Sequence, residues 1–293
     1  MVNRKLESAI LLTLTYSDIF EYPLTTREIQ RYLVKERATE VEVSDALGAM
    51  SNLSHRSGYF ALHGKDQLFI NREERASASK RLWCKARFWS RLVAHLPYVR
   101  MVAITGTLAV DNVSHDADID YLIVTEPGRL WLCRALILGL DRISRRVGVS
   151  LCPNYLITTQ ALSFPDHSLF TAREVTQMVP VSGRGIYRKI RAENTWVREW
   201  LPNAIGDPRP EIDPLHVSGW LRTCLEFPFN NSLGDKVESW EMRRKIKKLV
   251  GHNLHGGETR FAANFCKGHF EGHRKRTQIA FENNLIRVQG KAR

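Results

Sequence analysis

The chain has no stretch of the roughly twenty apolar residues needed to cross a bilayer. Its longest apolar run, Leu130 to Leu140, is interrupted by Arg134. Disulfide chemistry is equally thin: five cysteines (Cys84, Cys133, Cys152, Cys224, Cys266) are scattered and odd in number, which is no covalent framework and points to a reducing cytoplasm. The basic start MVNRKLESAILLTLTYSDIF runs into polar residues without a small-residue cleavage site, so it reads as mature protein rather than a signal peptide. Internal repeats and low-complexity segments are missing. Acidic residues are in deficit, 31 Asp and Glu against 43 Lys and Arg, for a formal net charge of +12. Such a field favours anionic partners, whether nucleic acid, nucleotides or acidic lipid, without choosing among them.

At 293 residues, 43% hydrophobic and 25% charged, the chain is long enough for two domains and can bury a sizeable core. LESAILLTLTYSDIF, TTREIQRYLV and VEVSDALGAMSNLS carry apolar residues near helical spacing, and Thr25 with Glu28 is a capping-box pattern. GYFAL and DQLFI read as two short strands joined at His63-Gly64-Lys65. Three helices and a hairpin are the plan of a winged helix-turn-helix over residues 1–72. Its third helix opens with Glu40, Glu42 and Asp45, which would face phosphates badly. A docking or structural role for the module is therefore at least as well supported as DNA reading, and a transcription regulator is the weaker reading.

A basic helix from Arg72 to about His95 links this module, over residues 73–98, to a core at 99–200. In the core, VRMVAITG, DADIDYLIVT and SLCPNYLIT read as strands and LWLCRALILGLDRISRRVG as a helix, predicting a small mixed sheet in an α+β fold. Six prolines break up residues 159–214. Helical patterns return over 201–293, a basic region read as helical to its end, including ETRFAANFCKGHFEGHRKRTQIAFENNLIRV.

The chemistry concentrates in AITGTLAVDNVSHDADIDYLIVT, residues 103–125. Gly106 and Thr107 follow a strand and open a short apolar helix, where glycine permits close backbone approach and free N–H groups can meet a phosphate. Asp118 and Asp120 flank Ile119 at the start of the next strand. Positions i and i+2 share a strand face, which brings the carboxylates together. Two such charges need a proton or a cation between them. Magnesium with a bound triphosphate suits that need, because it takes few carboxylates plus phosphate oxygens.

This segment resembles the active-site signature of the DNA polymerase beta-type nucleotidyltransferase superfamily, a Gly-Ser turn followed about ten residues later by Asp-x-Asp on a strand. Gly106, Asp118 and Asp120 match, and Thr107 keeps the hydroxyl of the usual Ser. The order of winged-helix front, core and helical back also resembles a group of bacterial nucleotidyltransferase-domain proteins that brings no substrate with it. The resemblance implies transfer of a nucleoside monophosphate from a nucleoside triphosphate to an acceptor hydroxyl, with release of pyrophosphate. It further implies that Asp118 and Asp120 hold two Mg2+ (or Mn2+) ions, and that Gly106 and Thr107 cradle the β and γ phosphates. The acceptor, RNA or another molecule, is left open.

The superfamily usually adds a third carboxylate on a neighbouring strand. Here the matching polar residue is Asn154, an amide that can offer an oxygen but neither a negative charge nor a general base. Asp116, Asp141 or Asp166 supplies the missing acid, or two acids suffice, or the site binds a nucleotide without turning it over. The alternative to an enzyme is thus a nucleotide- or nucleic-acid-binding protein on the same fold. Two further patterns compete with plain packing: a histidine and cysteine set (His252, His255, Cys266, His269, His273) with zinc-like spacing, and the basic run Arg243 to Lys248. Arg134, within an apolar helix, calls for an anionic partner, with Asp141 on the same face.

Overall fold

The computed structural model describes residues 4–114, 117–251, 260–267 and 273–291. The chain begins with α1 (Arg4–Asp18), β1 (Leu24–Thr25), α2 (Thr26–Arg31) and α3 (Glu40–Ala49). The apolar stripe of α1, Leu6, Ile10 and Leu14, packs with Ile29 and Leu33 beside α2 and with Val43 and Leu47 of α3. Both α2 and α3 open with reciprocal capping boxes, Thr25 with Glu28 and Thr39 with Glu42. The acidic start of α3 therefore has a structural cause: Glu42 accepts the Thr39 N–H at 2.7 Å, and its carboxyl is held below its ordinary range by the Thr39 bonds.

The hairpin lies one step earlier in the chain than expected. It is formed by β2 (Leu53–Arg56) and β3 (Tyr59–Leu62), paired antiparallel, with β1 added beside β3. Ser57 at φ +51° and Gly58 at φ +80° make its turn, the positive angles that a two-residue hairpin loop requires. The DQLFI segment is not a strand, since α4 (Gln67–His95) runs through it and begins at Gln67 rather than Arg72.

Helix α4 leads into β4 (Val99–Ile104), the short α5 (Gly106–Ala109), β5 (Ile119–Thr125), α6 (Leu130–Arg145) and β6 (Leu151–Thr158). The proline-rich stretch then supplies α7 (Leu169–Gln177), β7 (Val179–Ser182), α8 (Arg184–Glu193) and α9 (Val197–Trp200). Among the described residues these elements and two later strands form a six-stranded mixed sheet in the order β7-β4-β5-β6-β9-β8. Only β5 and β6 pair parallel, across the α6 connection, and the remaining pairs are antiparallel.

The sheet is buried on both faces. Tyr121 and Ile123 of β5 pack with Trp89 of α4 and Trp131 of α6, whereas Leu122 and Val124 pack on the opposite side with Ala172 and Val175 of α7. This two-sided burial explains the unbroken apolar run after Asp120.

The C-terminal region comprises α10 (Gly219–Glu226), α11 (Ser232–Gly251), β8 (Arg260–Ala262), β9 (Phe265–Lys267) and α12 (His273–Lys291). The strands correct the all-helical reading: β9 pairs with β6, and Cys266 is buried opposite Leu156. Cys266 and His273 therefore do not share one helix face. His252, His255 and His269 lie outside the described residues. No helix among the described residues is long and apolar enough to cross a membrane.

Candidate functional site

Strand β4 ends at Ile104 opposite Tyr121, and Thr105 donates its N–H to the Asp120 carbonyl at 2.9 Å. The chain then turns at Gly106, whose φ is +64°. A β-carbon on Gly106 would run into Oδ2 of Asp120. Glycine is thus demanded twice, by the left-handed backbone and by the carboxylate resting against it. Thr107 is exposed at the head of α5.

Asp120 shares its side of β5 with Leu122 and Val124, the side covered by α7. Strand β6 carries one extra residue beside it, since Asp120 pairs with Cys152 but Leu122 with Tyr155. From this bulge Asn154 donates Nδ2–H to Asp120 Oδ1 at 2.5 Å, while its own Oδ1 accepts the Cys152 thiol at 2.9 Å. As placed, Asn154 partners Asp120 through its amide N–H and the Cys152 thiol through its amide oxygen.

Asp118 precedes β5, so strand alternation does not hold it to the face of Asp120. It is exposed and lines a groove of about 460 Å3 with Arg81 and Lys85 of α4 and with Arg145. It remains near enough for its charge to be felt at Asp120. Burial, the charge of Glu174 and then that of Asp118 raise the Asp120 carboxyl from 3.8 to about 7, against the opposing hydrogen bonds of Asn154 and Cys152. The neighbouring Cys152 thiol is pushed up to about 12, first by burial and then by the charges of Asp120, Asp118 and Asp141.

Glu174 is the carboxylate that sequence reasoning missed. It sits on α7, raised by burial and held back by Lys267 of β9. Neither residue carries a local signal, since Glu174 is separated from Asp120 by a helix and a strand, and Lys267 arrives on a strand whose pattern reads as helix.

The other expected acids are used elsewhere. Asp141 accepts the Leu151 N–H and the Arg145 Nε–H, each at 2.8 Å, and so fastens the start of β6 rather than serving Arg134. Asp166 accepts the Thr171 hydroxyl at 2.6 Å at the head of α7. Asp116 lies outside the described residues. Arg134 instead lies close enough to the buried Cys266 for its charge to offset part of the rise that burial imposes on the thiol. In the basic run, Arg244 pairs with Glu241 at 2.7 Å.

A divalent cation fits the donor chemistry here. A desolvated carboxylate with two further acids around it is an arrangement that a bound cation would relieve. Among the described residues no group of three or more His, Cys, Asp and Glu side chains is placed to hold a metal. Such an ion would rest on Asp118 and Asp120 and take its remaining oxygens from its ligand, as magnesium commonly does. No protein-family profile, curated protein or solved structure matches the chain.

Proposed function

We propose that this protein is a metal-dependent nucleotidyltransferase, moving a nucleoside monophosphate from a nucleoside triphosphate to an acceptor hydroxyl. One observation carries the reading: the Asp120 carboxylate rests against Gly106 where β4 ends and β5 begins, with the charges of Asp118 and Glu174 acting on it. Asp118 and Asp120 would hold magnesium or manganese, which when bound would offset negative charge on the transferring phosphoryl group. Gly106 keeps the backbone bare beside the carboxylate, and the exposed Thr107 offers its hydroxyl to the phosphates. The N-terminal helices and hairpin, in the order of a winged helix-turn-helix, serve as a structural or docking module.

A second reading is favoured by Asn154. With its Nδ2–H committed to Asp120 and its oxygen to Cys152, it supplies no third acid. On that reading the protein binds a nucleotide without turning it over.

One experiment separates the two. Purified protein is incubated with each labelled nucleoside triphosphate, Mg2+ or Mn2+, and cell RNA or metabolite extracts as acceptor pools. Pyrophosphate release that disappears in Asp118→Ala/Asp120→Ala supports transfer. Metal-dependent nucleotide binding, lost in the same variant but without release, supports the binding reading. The absence of both signals overturns the assignment of this site.

A further inference from the structure

A second anion-binding place lies away from the carboxylates, on α8. The helix sequence RGIYRKIRAE sets Arg184, Arg188 and Arg191 at i, i+4 and i+7, on one face. Arg198 joins them from α9, and together they line a cavity of about 480 Å3 closed by residues 204–207. Four arginines face one acid, Asp207, which is engaged by Arg184 at 3.1 Å. Arg31 of α2 reaches the same wall and donates to the carbonyls of Ile205 and Gly206 at 2.9 and 3.1 Å.

Structural work accounts for only part of this set. Arg191 ties α8 to the carbonyls of Val175 and Ala204, which are neutral acceptors and leave its charge unbalanced. Burial and the charges of Arg31 and Arg198 accordingly pull its pKa down. Arg184 stands in the first turn of α8, where the helix dipole disfavours a cation, and its buried Nε–H has no partner among the described residues. Arg188 and Arg198 are exposed and make no ion pair or side-chain hydrogen bond among the described residues. Like charges at i, i+4 disfavour a helix. A cavity walled by such a set lacks its counter-charge.

We propose that this cavity binds a phosphoryl group, with Arg188 and Arg198 as the gripping side chains and Arg191 as a fixed cation beneath. Guanidinium forks match phosphate oxygens in pairs, which a lysine cannot do. The phosphate could belong to a free phosphorylated metabolite or to a polynucleotide backbone, and the chemistry at the cavity is the same.

The test is calorimetric titration of the full chain in EDTA, so that metal-assisted binding at Asp118 and Asp120 does not contribute. One arm uses sodium pyrophosphate and the other a short single-stranded oligoribonucleotide. The variants are Arg188→Ala/Arg198→Ala, its lysine counterpart, and Arg81→Ala/Lys85→Ala, which removes equal charge from the groove beside Asp118. Unchanged thermal melting is required of each. The expected result is saturable binding weakened about tenfold or more by the Arg188/Arg198 alanine pair, partly by the lysine pair, and little by the Arg81/Lys85 pair. Loss in the pyrophosphate arm assigns a small phosphorylated ligand, and loss in the oligonucleotide arm alone assigns a polynucleotide. No binding in either arm, or equal weakening by both alanine pairs, would overturn the proposal.

Discussion

Asp120 is a carboxylate whose ionised form the fold disfavours. Its folded value of about 7 stands above the ordinary 3.8, so the native state binds the proton more tightly than the unfolded chain does. Stability contributed by that proton is present at low pH and is lost as pH rises from about 4 through about 7. In metal-free buffer, Asp120→Asn should therefore be more stable than the parent at pH 8, by about 1–3 kcal/mol, and nearly equal to it at pH 4. Urea unfolding at the two pH values checks this, and a variant less stable at pH 8 would refute the burial argument. Gly106 gives a companion prediction. Gly106→Ala should cost about 2–4 kcal/mol, combining a positive-φ penalty with the collision at Asp120 Oδ2. In an Asp120→Ala background the collision disappears, and about 1 kcal/mol should remain. A cycle of these variants that proved strictly additive would mean the two residues do not touch.

At the scale of elements, α6 starts without a cap of its own. Arg129 stands at its N-cap position with no side-chain bond to the first turn. Glu238 of α11 fills the role from outside, accepting the N–H groups of Trp131 at 2.9 Å and Leu132 at 2.7 Å while almost wholly buried. Glu238→Ala should destabilise the protein by about 2–3 kcal/mol and Glu238→Gln by about half as much, measured by urea unfolding. A loss below about 0.5 kcal/mol for the alanine variant would show that α11 does not brace α6.

Long-range capping of this kind also marks what was legible in the sequence. The helices with apolar periodicity and the strands flanking Gly106 could be read, and so could the Thr25 capping box, whereas the Thr39–Glu42 box is missed when Glu42 is read for its charge alone. The hairpin was misplaced because DQLFI ends in a short apolar run that resembles a strand, although Ser57-Gly58 held the true turn signal. Strands β8 and β9 are three residues each and gain their identity from pairing, β9 with the edge of β6 and β8 with β9. The site divides the same way. Gly106, Asp118 and Asp120 stand within one segment, but the charge of Glu174 reaches Asp120, and that of Lys267 reaches Glu174, only when α7 and β9 fold onto the sheet.

For the whole molecule, the decisive join is between the N-terminal helices and the loop that follows Gly106 and α5. Arg72 of α4 is 5% exposed and donates to the Asp111 carbonyl at 2.8 Å, to Tyr22 Oη at 2.9 Å and to Glu28 Oε1 at 3.0 Å. Tyr22 Oη in turn lies within hydrogen-bond reach of Glu28 Oε1 and of the Val110 carbonyl, with one hydroxyl hydrogen to serve the two. Asp111 itself, at φ +55°, also accepts from Trp83 and Arg209. One buried guanidinium thus couples α2, α4 and the segment leading from Gly106 to Asp118. Its removal leaves the Glu28 carboxylate and the Tyr22 hydroxyl without their shared cation, a loss larger than any surface pair could cause. We expect Arg72→Ala to cost about 3–5 kcal/mol, against about 1–2 kcal/mol for Arg244→Ala, whose half-exposed guanidinium pairs with the buried Glu241 within α11. Hydrogen exchange supplies the structural readout: amides of residues 110–114 should lose protection in Arg72→Ala and keep it in Arg244→Ala. If both variants left that segment equally protected, the N-terminal helices would be packed beside the site without holding it, and their contribution to the site's geometry would have to be abandoned.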